Sequence, residues 1–224
     1  MPSYRVPMPV EPGILARGPW TRSRIDVTWH GKPFEPPQPV VDQADRALAV
    51  LRGRGSPSHD GLAGRLRGFD VADGRLRLEC EPARWALRLL ADDAMGSLSA
   101  LCVVRAADGR WLAGRRAPWL ATWAQRWALG AAGSVEVDEH PADTLTRELS
   151  EEWSVMAERL TVEALVRLPN GIAMLVGMAW LTDGASVTPD AEHDDFDWWP
   201  ADPERWPEQA DEPLRRTAAL LARA

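Results

Sequence analysis

A chain of 224 residues with a formal net charge of −7 is long enough for one large domain or two small ones around a proper hydrophobic core. The acidic balance argues against a nucleic-acid-binding surface, whose signature is a basic patch. No apolar run reaches the roughly 18 residues that span a bilayer. The opening MPSYRVPMPVEPG lacks a basic stretch followed by an apolar one, so no secretory signal is expected. Cys80 and Cys102 have neither metal-ligand nor redox spacing and read as buried thiols of a reducing cytoplasm.

Residues 1–40 are proline-rich, which fits a flexible lead, but Arg24–Trp29 alternates like a short strand. Asp42–Arg52 reads as a helix with Ala44, Leu48 and Leu51 on one face. Leu62–Val71 and Arg75–Glu81 read as strands joined by Ala72-Asp73-Gly74, a hairpin signal, and Pro82–Leu90 as a short helix. The pattern then restarts. Leu98–Arg105 is an apolar strand, Asp108-Gly109 a turn, and Arg110–Arg116 a second strand, followed by a loop with Trp119, Trp123 and Trp127. Leu160–Leu168 and Ile172–Leu181 flank Pro169-Asn170-Gly171, another turn. A last strand at Phe196–Trp199 and a helix at Pro213–Arg223 complete the chain. These elements predict an α/β domain at 94–224, preceded by a small α+β module at 1–93.

The chemistry concentrates in Gly133–Val155, GSVEVDEHPADTLTRELSEEWSV. On a helix turning about 100° per residue, Glu151 falls near 300° and Glu152 near 40° from Glu148, so three carboxylates share a face. Like charges at such spacing cost a helix a few tenths of a kcal/mol per pair. A hard divalent cation with oxygen ligands is the simplest species that offsets this.

The segment resembles the Nudix box: Gly133, then Glu139 six residues on, then Arg147-Glu148-Leu149 and Glu151-Glu152. Only the final glycine differs, being Ser154. Chance agreement at these positions is on the order of 10⁻⁵ over the chain. The resemblance implies a Nudix α/β/α sandwich with a mixed sheet. It also implies a metal-dependent hydrolase that splits the diphosphate of a nucleoside diphosphate linked to another moiety, giving a nucleoside monophosphate and a phosphorylated product. A non-hydrolytic nucleotide-sensing domain is the alternative reading. The isomerases that share the scaffold need a cysteine in the loop before the box, where this chain has none.

The resemblance further implies Mg²⁺, with Mn²⁺ as the other candidate ion, on Glu148, Glu152, Glu151 and the carbonyl of Gly133. Glu139 and Arg147 would pair to hold the loop on the helix. Arg115 and Arg116, at the end of a strand that runs toward the active site, are candidates for the substrate diphosphate. Glu192, in an acidic loop, is the candidate extra acid, and the general base stays open among Glu148, Glu151 and Glu192. The expected partner is a small nucleotide, with a homodimer left open. The run HDGLAGRLRGFDVADGRLRLECEPARW resembles the small module that precedes the catalytic domain in Nudix proteins acting on UDP-sugars. A cap supplying only core or dimer contacts is the other reading.

Overall fold

The computed structural model describes residues 12–56 and 58–221. The expected end of the C-terminal helix, residues 222–223, and residues 1–11 of the opening proline-rich stretch lie outside the described residues.

The first strand, β1 (Gly13–Trp20), precedes β2 (Ile25–Trp29) and the helix α1 (Gln38–Gly53). Strands β3 (Leu62–Ala72) and β4 (Arg75–Arg84) form the expected hairpin. Asp73 and Gly74 both take positive φ, 54° and 68°, as a tight two-residue turn between twisted strands demands. Together β2, β4 and β3 make a three-stranded sheet, with β2 parallel to β4. The helix expected at Pro82–Leu90 is corrected. β4 runs on to Arg84, and only Trp85–Leu89 turns, as a 3-10 helix. Pro82 is tolerated in this strand because β2 stops pairing at Cys80, so its missing N–H costs no ladder bond on that side.

The second sheet contains β5 (Leu98–Arg105), β6 (Trp111–Arg116), β7 (Trp127–Leu129), β8 (Ala131–Ser134), β9 (Arg159–Arg167), β10 (Ala173–Trp180) and β11 (His193–Trp199). Its order is β1-β9-β10-β5-β6-β11, with β7 on β6 and β8 on β5. β10 lies parallel to β5 and antiparallel to β9, so the sheet is mixed. β1 is its edge. The sequence reading of residues 1–40 singles out only Arg24–Trp29 as strand-like, yet Gly13–Trp20 also pairs, antiparallel with β9. Trp127, expected in a loop, starts β7 opposite Arg115.

Period-two alternation decides the layers. On β10, Leu175 and Ala179 face the helix α2 (Pro141–Trp153), in a core with Leu145, Leu149 and Trp153. Val176 and Met178 face the other way, onto Leu214, Ala218 and Leu221 of α3 (Glu212–Leu221). The small sheet shares the α2-side core through Ile25, Leu66, Leu76 and Leu78. α1 sits apart, burying Ala44 and Leu48 on Ala86 and Leu87 of the 3-10 turn. The result is a mixed sheet between helices.

One glycine lets the strands fork. β7 and β8 form one run that leaves β6 and joins β5 at Gly130, whose φ is +61° and where a Cβ would sit 1.9 Å from the Cys102 carbonyl oxygen. No other residue fits there. The crossing lays β8 beside Arg147, Glu148 and Glu152, in the C-terminal half of α2.

Candidate active site

His140 caps α2: Nδ1 accepts the Ala142 N–H at 3.2 Å and Nε2 donates to the Ile25 carbonyl at 3.1 Å. Nε2 carries a proton, because a carbonyl can only accept, and Nδ1 offers its lone pair to the amide. Ser154 ends the helix in the left-handed region (φ 52°, ψ 37°), the geometry that glycine takes most cheaply. The small sheet is tied to the same loop. Trp29 Nε1 donates to the Glu139 carbonyl at 3.0 Å, and Arg22 grips Asp143 through Nε and Nη2 at 2.5 and 2.6 Å.

Within this frame Arg147 organises the acids. Its Nε and Nη2 donate to Glu139 Oε1 and Oε2 at 2.9 and 3.1 Å, and Nη2 also reaches the Ser134 carbonyl at 3.0 Å. Its Nη1 donates to Glu148 Oε1 at 2.7 Å and to Glu151 Oε2 at 3.1 Å. The hydrogen bonds to Glu139, against the cost of burial, raise the pKa of Arg147 above its ordinary value. Burial acts to raise the Glu139 carboxyl, but the Arg147 bonds and the Glu136 N–H outweigh it and hold it low.

Glu148 and Glu152, one turn apart on the inner face of α2, flank β8. Glu152 Oε1 accepts the Ala132 N–H at 3.0 Å, while its Oε2 is buried with no hydrogen-bond partner. A Cβ on Gly133 would fall 1.8 Å from Glu148 Oε1, so the glycine is the cradle of that carboxylate. Burial raises the pKa of both glutamates, that of Glu152 well above the usual range; the charge of Glu148 adds to the rise at Glu152, and that of Glu151 to the rise at Glu148. Glu192 lies near enough for its charge to push both upward, and burial raises it too. Behind them sits His193, 3.7 Å from Glu152 Oε2 with its ring against Trp153. Burial lowers the pKa of this histidine, favouring the neutral ring.

These donors suit a hard divalent cation. They are carboxylate oxygens, one of them orphaned, and the Glu148 carboxylate rests in a space that a methyl group on Gly133 would fill. Among the described residues no three acidic, histidine or cysteine side chains already converge at ligand spacing; Arg147 holds one oxygen of Glu148, and the Ala132 N–H one of Glu152.

A cleft of about 600 Å³ opens over Glu148, Glu192, Arg147 and Gly133. Arg116 lines it. Arg115, its neighbour on β6, points to the opposite face and donates to Asp194 at 2.7 Å. Glu151 is largely exposed and held by Arg147, outside the cleft lining. Trp119 lines the cleft, and Ser56 Oγ donates to its carbonyl at 2.5 Å. The far wall comes from the N-terminal part, with His59, Trp85 and Arg88. Sequence reasoning passes over Arg88 and His193: neither belongs to a motif, and what brings both to the site is the tertiary fold. Cys80 and Cys102 are free and buried, their thiols pushed up to about 12 by burial.

The NUDIX domain model matches residues 95–220, which is more than half of the chain. The chain belongs to the NUDIX family. It is a Nudix-type hydrolase with the mixed-sheet fold of that family. Similar solved structures include the MutT protein of Methanosarcina mazei Go1, at 21% identity over 55% of this chain and 93% of that one, with a TM-score of 0.43. The NUDIX domain of Shewanella oneidensis NrtR, solved with ADP ribose, is 20% identical over 56% of this chain and 88% of its own, with a TM-score of 0.44. RenU, a Nudix hydrolase of M. smegmatis, is 18% identical over 70% and 96%, at 0.41. At these identities the likeness is one of fold. No curated protein matches the sequence significantly. No helix among the described residues is long and apolar enough to cross a membrane.

Proposed function

We propose that this NUDIX protein hydrolyses the diphosphate bond of a nucleoside diphosphate linked to a second moiety. The observation that carries the reading is the Glu148–Glu152 pair astride Gly133, with an unpartnered buried carboxylate oxygen beneath a cleft lined by arginine. Glu148, Glu152 and the Gly133 carbonyl would hold Mg²⁺ or Mn²⁺, which when bound polarises phosphoryl oxygens and acidifies a coordinated water. Glu192 is the base in this reading, because it borders the cleft with a raised pKa while Glu148 and Glu152 are committed to the cation. Arg147 and Glu139 keep the loop in place, and Arg116 faces the phosphates. Two free, buried cysteines support a reducing cytoplasmic setting.

The test is a panel of ADP-ribose, UDP-glucose, dinucleoside polyphosphates and oxidised nucleoside triphosphates, assayed with Mg²⁺ or Mn²⁺. Turnover of at least one should depend on the divalent ion, and Glu152→Gln should lower it by at least ~10²-fold. Mg²⁺ should also raise the melting temperature of the wild type and leave Glu148→Gln/Glu152→Gln unmoved, since a ligand stabilises only the state that binds it. No metal-dependent turnover across the panel, or an equal thermal shift in both proteins, would overturn the reading.

A further inference from the structure

The cleft holds two guanidinium groups whose hydrogen bonds go to no carboxylate. Several arginines elsewhere close on acids: Arg22 on Asp143, Arg75 on Asp26, and Arg84 on both Asp45 and Asp60. Arg88 does not. Among the described residues its one hydrogen-bond partner is the Ser134 hydroxyl, and the face of Trp85 lies 5.7 Å from its guanidinium carbon. Arg116 donates Nε to the Thr122 carbonyl at 3.3 Å, but its Nη2 stays 3.7 Å from Glu192, beyond hydrogen-bond reach.

Both side chains line the same cleft and repel each other, while Glu148 and Glu192 draw Arg88 toward the acidic floor. Burial pushes Arg88 down to about 10, so it is still charged at neutral pH. Each guanidinium has five donors in a planar fork, and most of them are open here. Two like-charged forks facing one space, next to a carboxylate cluster suited to a cation, are complementary to an anion with several oxygens. Phosphate matches that fork bidentately.

The geometry points to Arg88 and Arg116 as a two-arginine clamp on a phosphate of the substrate, with one jaw supplied by the segment that precedes the catalytic domain. Arg88 lies upstream of the residues matched by the family model, so this jaw belongs to the chain's own N-terminal part. It arrives there because the 3-10 turn Trp85–Leu89 is pinned by α1 on one side and leads into β5 on the other. The inference rests on the diphosphate reading given above.

The test uses inorganic pyrophosphate, titrated calorimetrically into the full chain with Mg²⁺ present. Arg88→Gln should weaken binding by at least ~10-fold, Arg88→Lys by less, because it keeps the charge and loses the fork. Arg110→Gln, at an exposed turn, should stay within twofold. On the unaltered protein, pyrophosphate should slow modification of Arg88 by phenylglyoxal, read by mass spectrometry. This measurement decides the matter alone if Arg88→Gln does not fold. Unchanged affinity in Arg88→Gln, or no protection of Arg88, would overturn the clamp. Pyrophosphate held by Arg88 in a protein that hydrolyses nothing would sink the hydrolase reading and leave the clamp standing, whereas metal-dependent hydrolysis with Arg88-independent binding would do the reverse.

Discussion

Arg147 holds Glu139 through two parallel hydrogen bonds, Nε to Oε1 at 2.9 Å and Nη2 to Oε2 at 3.1 Å, while its remaining nitrogen reaches Glu148. One planar group therefore sets the position of the loop and of an acid in the cleft together. Lysine keeps the charge and loses the fork. Arg147→Lys should cost about 1–3 kcal/mol of stability and lower kcat along with it, because Glu148 is released. Urea unfolding and steady-state rates check this. A variant as stable and as fast as wild type would show that the fork positions nothing.

Gly133→Ala separates the cradle from the fold. The added methyl meets the Glu148 carboxylate, the far end of a flexible side chain, rather than backbone, so the protein should fold and the carboxylate should move. Weaker Mg²⁺ binding, with a far-ultraviolet spectrum like that of wild type, is the expected outcome. Unaltered Mg²⁺ affinity would remove Glu148 from the cation's ligands.

Glu152 gives the metal-free protein a pH dependence whose sign follows from its raised pKa. Above about pH 4.3, the ordinary glutamate value, the unfolded chain has released a proton that the folded chain keeps. The stability this group contributes is thus complete below that value and is lost as pH rises through its folded pKa. In EDTA, Glu152→Gln should equal or exceed the wild type in melting temperature at pH 8, and the gap should narrow toward pH 4.5. A gap that is constant with pH would place the titration elsewhere.

Removing residues 1–20 strips β1 from β9 and leaves an unpaired strand edge, a template for association. The truncated chain should melt at least ~5 °C lower or aggregate on concentration, as light scattering would show. Unchanged melting and a monodisperse solution would mean that β1 contributes little to the sheet.

The box was legible because its residues lie close in sequence, and a helix converts their spacing into a common face. Glu139 and Arg147 are eight positions apart and meet as expected. The Asp73-Gly74 hairpin was legible for the same local reason. β1 was not: Gly13, Gly18 and Pro19 interrupt its alternation and mask a strand whose partner is distant in the chain. Arg88 left no trace either, since an arginine on a short turn looks like any surface cation until the opposite wall of a cleft is in place. Choosing between Arg115 and Arg116 needed the direction of β6, which the sequence leaves ambiguous by one residue.

The pairing of Trp20 with Val162 also orders events during synthesis. At about 5–20 residues per second, a ribosome needs roughly 7–30 s to travel between them. Through that interval the α1 helix and the β3–β4 hairpin, built from near neighbours, can form while β1 waits without a partner. Made before every other described strand, β1 is thus secured only after β9 has emerged, and a probe of its docking reports that the β1–β9 edge of the large sheet has formed.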